Sequence, residues 1–106
     1  MSNTLRTGIL LLLGTLLIAC SSAEDRAVEY LDRAQASFDE GDWVKAELDV
    51  KNALQIDPRN VDARVMMYQI AEKQQKWREM FRNLTRVVNL DENNVDARIK
   101  LGRLQL

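Results

Sequence analysis

The pentapeptide Asn60-Val61-Asp62-Ala63-Arg64 returns unchanged as Asn94-Val95-Asp96-Ala97-Arg98, 34 residues later in a chain of 106. A period of this length marks a chain built from stacked supersecondary units, each burying its apolar face only on its neighbours. The same offset pairs Trp43 with Trp77, Val50 with Leu84, Leu54 with Val88, Ile56 with Leu90 and Asp57 with Asp91. Aromatic, aliphatic and acidic positions therefore agree in type across the unit, and the repeat extends well beyond five residues.

The unit reads as two helices. Leu31, Ala34 and Phe38 recur at three- and four-residue steps and predict a first helix over residues 25–40. Gly41-Asp42 interrupts it, because glycine supplies the left-handed conformation common just past a helix end and Asp42 can accept from the free amides of the next helix. A second helix follows from Trp43 to Ile56, with Ala46, Val50, Ala53 and Leu54 facing inward and Glu47 placed four residues ahead of Lys51 on the outer face. Pro58 ends it and pushes Asp57 out of helical geometry. Asn60 then caps another helix whose first turn sets Asp62 against the positive end of the helix dipole, and Asn94 with Asp96 repeats the device for a third unit.

The pattern Ala34-x6-Gly41-Asp42-Trp43-x2-Ala46-x6-Ala53-Leu54-x-Ile56-Asp57-Pro58 resembles the tetratricopeptide repeat (TPR), as does the period itself. The resemblance implies an all-α helix-turn-helix solenoid of two full repeats, 27–60 and 61–94, plus the first helix of a third, 95–106. Repeat two departs from the family pattern: Tyr68 stands at the place of Ala34, Gln75 of Gly41, Met80 of Ala46, Val87 of Ala53 and Glu92 of Pro58. Its helices are expected to sit further apart or at a changed angle. Met66, Met67, Tyr68, Trp77, Met80 and Phe81 then either refill the space that small residues would have closed or form one soft binding surface.

The N-terminal end has a different character. Arg6 precedes an apolar run from Gly8 to Ala19 broken only by Thr15, the pattern of a secretory signal. The run spans roughly 18 Å as a helix, well short of the roughly 30 Å hydrocarbon core, so it is read as an export signal and not as a membrane span. Leu17-Ile18-Ala19-Cys20 resembles the lipobox of bacterial lipoproteins, which implies acylation of Cys20, cleavage before it and a lipidated tether over residues 20–26. Several acyl chains, palmitate among them, make a stable anchor. Ser21, in place of the aspartate that retains such proteins in the inner membrane, implies the outer membrane of a Gram-negative bacterium, with the chain facing the periplasm.

Composition removes whole classes of function. Removing residues 1–19 takes away Arg6 alone, so the 15 basic residues of the chain become 14 against 16 acidic ones, a net charge of −2 that gives no reason to expect a nucleic-acid partner. With no histidine and a single cysteine assigned to lipid, there is no histidine acid–base pair, thiolate nucleophile or Cys/His metal site, and neither an enzyme nor a cofactor is expected. The adjacent carboxylates Asp39-Glu40 and Asp91-Glu92 fall at helix ends or turns, where acids are ordinary.

In the family the first helices of successive repeats line a concave groove. The resemblance places Val28, Leu31, Gln35, Phe38 and Asp39 there, followed by Asp62, Val65, Gln69, Glu72 and Lys73, a mixture suited to holding a peptide or helix. Leu31, Gln35 and Met66 occupy the places where repeats that clamp a terminal carboxylate carry lysine, asparagine and arginine, which argues against a chaperone-tail clamp. Arg78, Arg82 and Arg86 form a basic stripe on the fourth helix, either a solvated outer face or a contact for lipopolysaccharide, anionic lipid or acidic polysaccharide.

The reading is a lipid-anchored periplasmic scaffold that binds other proteins, resembling through Lys51 to Pro58 the repeat lipoproteins tied to exopolysaccharide export or surface-protein sorting. A pilotin-like lipoprotein, a part of the outer-membrane assembly machinery and an anionic-polysaccharide binder are the alternatives. Val95 to Leu106 lacks a polar cap, so the chain is expected to be the front of a longer repeat protein or to self-associate through that helix.

Overall fold

The computed structural model describes residues 22–106. The export signal, Cys20 and Ser21 lie outside them. Five helices follow one another, α1 over 22–39, α2 Trp43–Ile56, α3 Val61–Lys73, α4 Trp77–Leu90 and α5 Val95–Gln105, with no strand among the described residues. They make two helix-turn-helix units and the first helix of a third. α1 is already helical at residue 22, ahead of the start its apolar periodicity suggests, while the start and end of α2 are where the sequence puts them.

The turn inside each unit is the same in both repeats, although its sequence is not. Gly41 adopts φ +81°, its N–H donates to the Phe38 carbonyl at 3.0 Å, and the Asp42 N–H donates to the Ser37 carbonyl at 2.9 Å. This pair of bonds closes a helix around a left-handed residue. Gln75 takes the glycine's place at φ 57° and forms the matching bonds, to Glu72 at 3.1 Å and from Lys76 to Ala71 at 2.9 Å. The second turn therefore holds a side chain in a conformation that costs about 1–2 kcal/mol for L-residues. It also loses a side-chain cap: the Asp42 carboxylate accepts from the Lys45 N–H at 3.1 Å, whereas the Lys76 side chain at the matching position has no acceptor to offer.

The turn between units is conserved more tightly still. The Asn60 side chain accepts from Ala63 N–H at 3.1 Å and Asn94 from Ala97 at 3.0 Å, while Asp57 and Asp91 leave α2 and α4 at φ −139° and −138°. Asp57 accepts from Arg59 N–H and Asp91 from Asn93 N–H in the same way. Glu92 in place of Pro58 changes none of this, so aspartate and asparagine, more than proline, set the geometry between repeats.

Two apolar clusters form the core. Ala34, Ala46, Val50, Ala63, Met66 and Ile70 make the first, and Tyr68, Ala71, Met80, Leu84, Val87 and Ala97 the second, with α3 contributing to both. The bulky group expected either to refill space or to form one surface is split between two places. Tyr68 and Met80 are buried where repeat one has Ala34 and Ala46, and Met66 is buried in the first cluster, while Trp77 and Phe81 are 53% and 40% exposed and do not form one surface with them. The cause for Trp77 is a missing partner: Trp43 meets Phe38 edge to face at 5.0 Å, and the position matching Phe38 in repeat two is Glu72. On α5, Ala97 is buried and Leu101 and Leu104 pack back against the second cluster. Gly102 is exposed, and Val95 and Ile99 are the large exposed apolar side chains within the helix.

A buried polar position shows the same logic of paired replacement. Asp49, buried on α2, meets Arg33 of α1 at 3.2 Å. One period later the pair becomes Asn83 and Met67, and Asn83 donates to the Glu79 carbonyl at 2.9 Å. Charge is removed from both partners together, which avoids the cost of one buried carboxylate left without its cation.

Replacing Gln75 by glycine is expected to stabilise the fold by about 0.5–1 kcal/mol, the left-handed strain relieved less the added freedom of the unfolded chain. Urea denaturation at constant slope measures it.

Candidate protein-binding groove

α1 and α3 lie side by side because Ala34, Ala63 and Met66 share one core cluster. Their outward side chains enclose an open hollow of about 290 Å³ lined by Val28, Leu31, Asp32 and Gln35 from α1 and Asp62 and Met66 from α3. Val28, Leu31, Gln35 and Asp62 are groove residues that sequence reading anticipates. Met66 is the groove position already singled out by the terminal-carboxylate comparison, and Asp32 is an addition whose signal is its place four residues after Val28 on one helical face. Val28 is 58% exposed, so the hollow offers apolar surface directly to solvent.

The remaining expected residues divide between surface and support. Asp39 accepts from the Gln35 amide at 2.9 Å, one turn along the same face. Phe38 is half-buried against Trp43 and the first core cluster, while Val65 flanks the second. Gln69 is half-buried, Lys73 sits 6.0 Å from the centre of the Trp43 ring, and Glu72 pairs with Lys100 at 3.6 Å.

That last contact belongs to a polar cluster between α3 and α5. The Tyr68 hydroxyl donates to Asp96 at 3.0 Å, and Lys100 lies 3.8 Å from Asp96, 3.6 Å from Glu72 and 5.4 Å from the Tyr68 ring centre. The cluster fixes α5 against α3, and sequence reading missed it. Burial first, then the hydrogen bond and charge of Asp96 and the charge of Glu72, push the Tyr68 phenol up to about 12.

Charge is distributed unevenly along the groove. Lys100 is matched by two carboxylates at the α5 end, whereas neither Asp32 nor Asp62 has an ion-pair partner among the described residues. No group of side chains suited to a metal ion occurs among the described residues. Asp39-Glu40 and Asp91-Glu92 sit at a helix end and a turn.

The arginine stripe lies elsewhere, on the outer face of α4. Arg78, Arg82 and Arg86 are exposed and, with Phe81, Thr85 and Asn89, border an open hollow of about 340 Å³. None of the three has a carboxylate partner among the described residues. Arg86 adds to burial in holding the nearby Arg64 guanidinium below its usual pKa, and the buried Arg64 Nε has no hydrogen-bond partner among the described residues.

Because the folded state keeps Tyr68 neutral where the unfolded chain would ionise it, the tyrosine's contribution is present below about pH 10 and lost as pH rises toward 12. An absorbance titration at 295 nm is expected to show a phenol ionising near 12 that is absent from Tyr68→Phe.

Compared with protein-family models and with curated protein sequences, the chain matches none. Among solved structures it is similar to the first TPR domain of Spaghetti (RPAP3) bound to the HSP90 peptide SRMEEVD, at 25% identity and a TM-score of 0.70. The match covers 74% of this chain and 63% of that one, so the chain spans less than two thirds of its neighbour's length. The fold is a TPR-like helical solenoid.

Proposed function

We propose that this chain is a scaffold that holds a segment of another protein in the groove between α1 and α3, with no chemistry of its own. The observation that carries the reading is the hollow of Val28, Leu31 and Met66, apolar, open and shaped by two helices of a rigid stack. A solved neighbour of the same fold carries a bound peptide. Side chains alternating between apolar and polar suit recognition of a peptide or helix, where pockets give specificity and the ordered backbone lowers the entropic cost of binding.

In this reading Cys20 is acylated and anchors the chain at the periplasmic side of the outer membrane, where the scaffold serves envelope assembly or export. Among the described residues no helix is long and apolar enough to cross a membrane, so anchoring falls to the lipid. Systems for exopolysaccharide export or surface-protein sorting fit such a scaffold, as do pilotin-like and outer-membrane assembly roles.

A second reading assigns anion binding to Arg78, Arg82 and Arg86, and the absence of carboxylate partners for them among the described residues favours it. The two readings separate in one experiment. A photo-crosslinking amino acid placed at Val28 in the native envelope is expected to capture a protein, and Leu31→Glu to abolish the adduct, while Arg82→Glu leaves it intact. An adduct insensitive to Leu31→Glu contradicts the groove. Loss of acidic-polysaccharide binding on Arg82→Glu, with affinity falling as salt rises, would support the outer face instead.

A further inference from the structure

The groove's charge narrows the chemistry of what it holds. Asp32 and Asp62 are exposed, come from adjacent helices, and flank the apolar surface of Val28, Leu31 and Met66 with no cation among the six lining residues. Asp39 extends the acidic character along α1, its carboxylate accepting from the neutral amide of Gln35. The lysines of α3 and α5 are engaged elsewhere: Lys73 over the Trp43 ring and Lys100 between Glu72 and Asp96.

We propose that the groove between α1 and α3 takes a cationic, apolar segment of a partner protein, with lysine or arginine side chains at Asp32 and Asp62 and aliphatic or aromatic ones on Val28, Leu31 and Met66. This rests on reading the groove as the docking surface and adds the sign of the partner's charge. The helical neighbour was solved with SRMEEVD, a peptide rich in carboxylates. Here such a tail would meet two carboxylates with no arginine or lysine lining the hollow to receive it, and like charges brought together across an interface select against the wrong partner. A basic segment gains steering at a distance and register on arrival, while the apolar side chains supply most of the affinity.

Panning a phage-displayed random dodecapeptide library against the full chain in detergent micelles tests this, with Leu31→Glu as the counter-target. Peptides retained by the wild type and lost by Leu31→Glu are expected to carry net positive charge beside large apolar residues. Their affinity is expected to fall roughly tenfold in Asp32→Asn/Asp62→Asn, and to weaken with added salt. Exposed aspartates at these sites hold no core contact, and an unchanged circular dichroism spectrum verifies the fold of both variants. Leu31-dependent peptides that are neutral or acidic, or that ignore the asparagine pair, overturn the charge assignment while leaving the groove. A selection that yields nothing, or nothing dependent on Leu31, overturns the groove reading and this inference with it.

Discussion

Everything in this molecule depends on how one helical pair is set against the next, and that is decided by a short turn repeated without change. Asn60 and Asn94 each satisfy an amide at the start of the following helix, and Asp57 and Asp91 each end the helix before it in extended geometry. Since the turn fixes the angle at which α3 leaves α2 and α5 leaves α4, it also fixes which side chains of α1, α3 and α5 share a face. The groove is a consequence of stacking, and Leu31 and Met66 line it while also packing into the core that holds α1 against α3.

The stack tolerates substitution where the geometry is held by backbone bonds and demands compensation where it is held by packing. Gln75 keeps a glycine's conformation because the bonds to Glu72 and Ala71 hold it there. Tyr68 and Met80 fill volume that alanines occupy in repeat one, and the tyrosine's hydroxyl gains a carboxylate on the next unit. Where compensation is missing the result is visible: Trp77 has Glu72 where Trp43 has Phe38, and stays half outside the core.

Much of this is legible in the sequence because it is local. A 34-residue period, two asparagine caps, a glycine turn and an apolar stripe are all written within a few residues of where they act. What escapes is what joins distant positions: Arg33 with Asp49, Tyr68 with Asp96, and Lys100 with Glu72 link residues 16 or more apart, and no periodicity marks them. The groove was half legible for the same reason. The family resemblance gives the helical face, yet only packing shows that Phe38 leans on Trp43 and that Asp32 opens onto the hollow.

The central claim is that one face of the stack, and not the other, meets a partner. Hydrogen–deuterium exchange of the full chain, alone and with the protein captured at Val28, measures this most directly. The account expects added protection across α1 and α3, with the outer faces of α2 and α4 unchanged. Protection confined to α4 around Arg78, Arg82 and Arg86, with α1 and α3 exchanging as in the free chain, would contradict it.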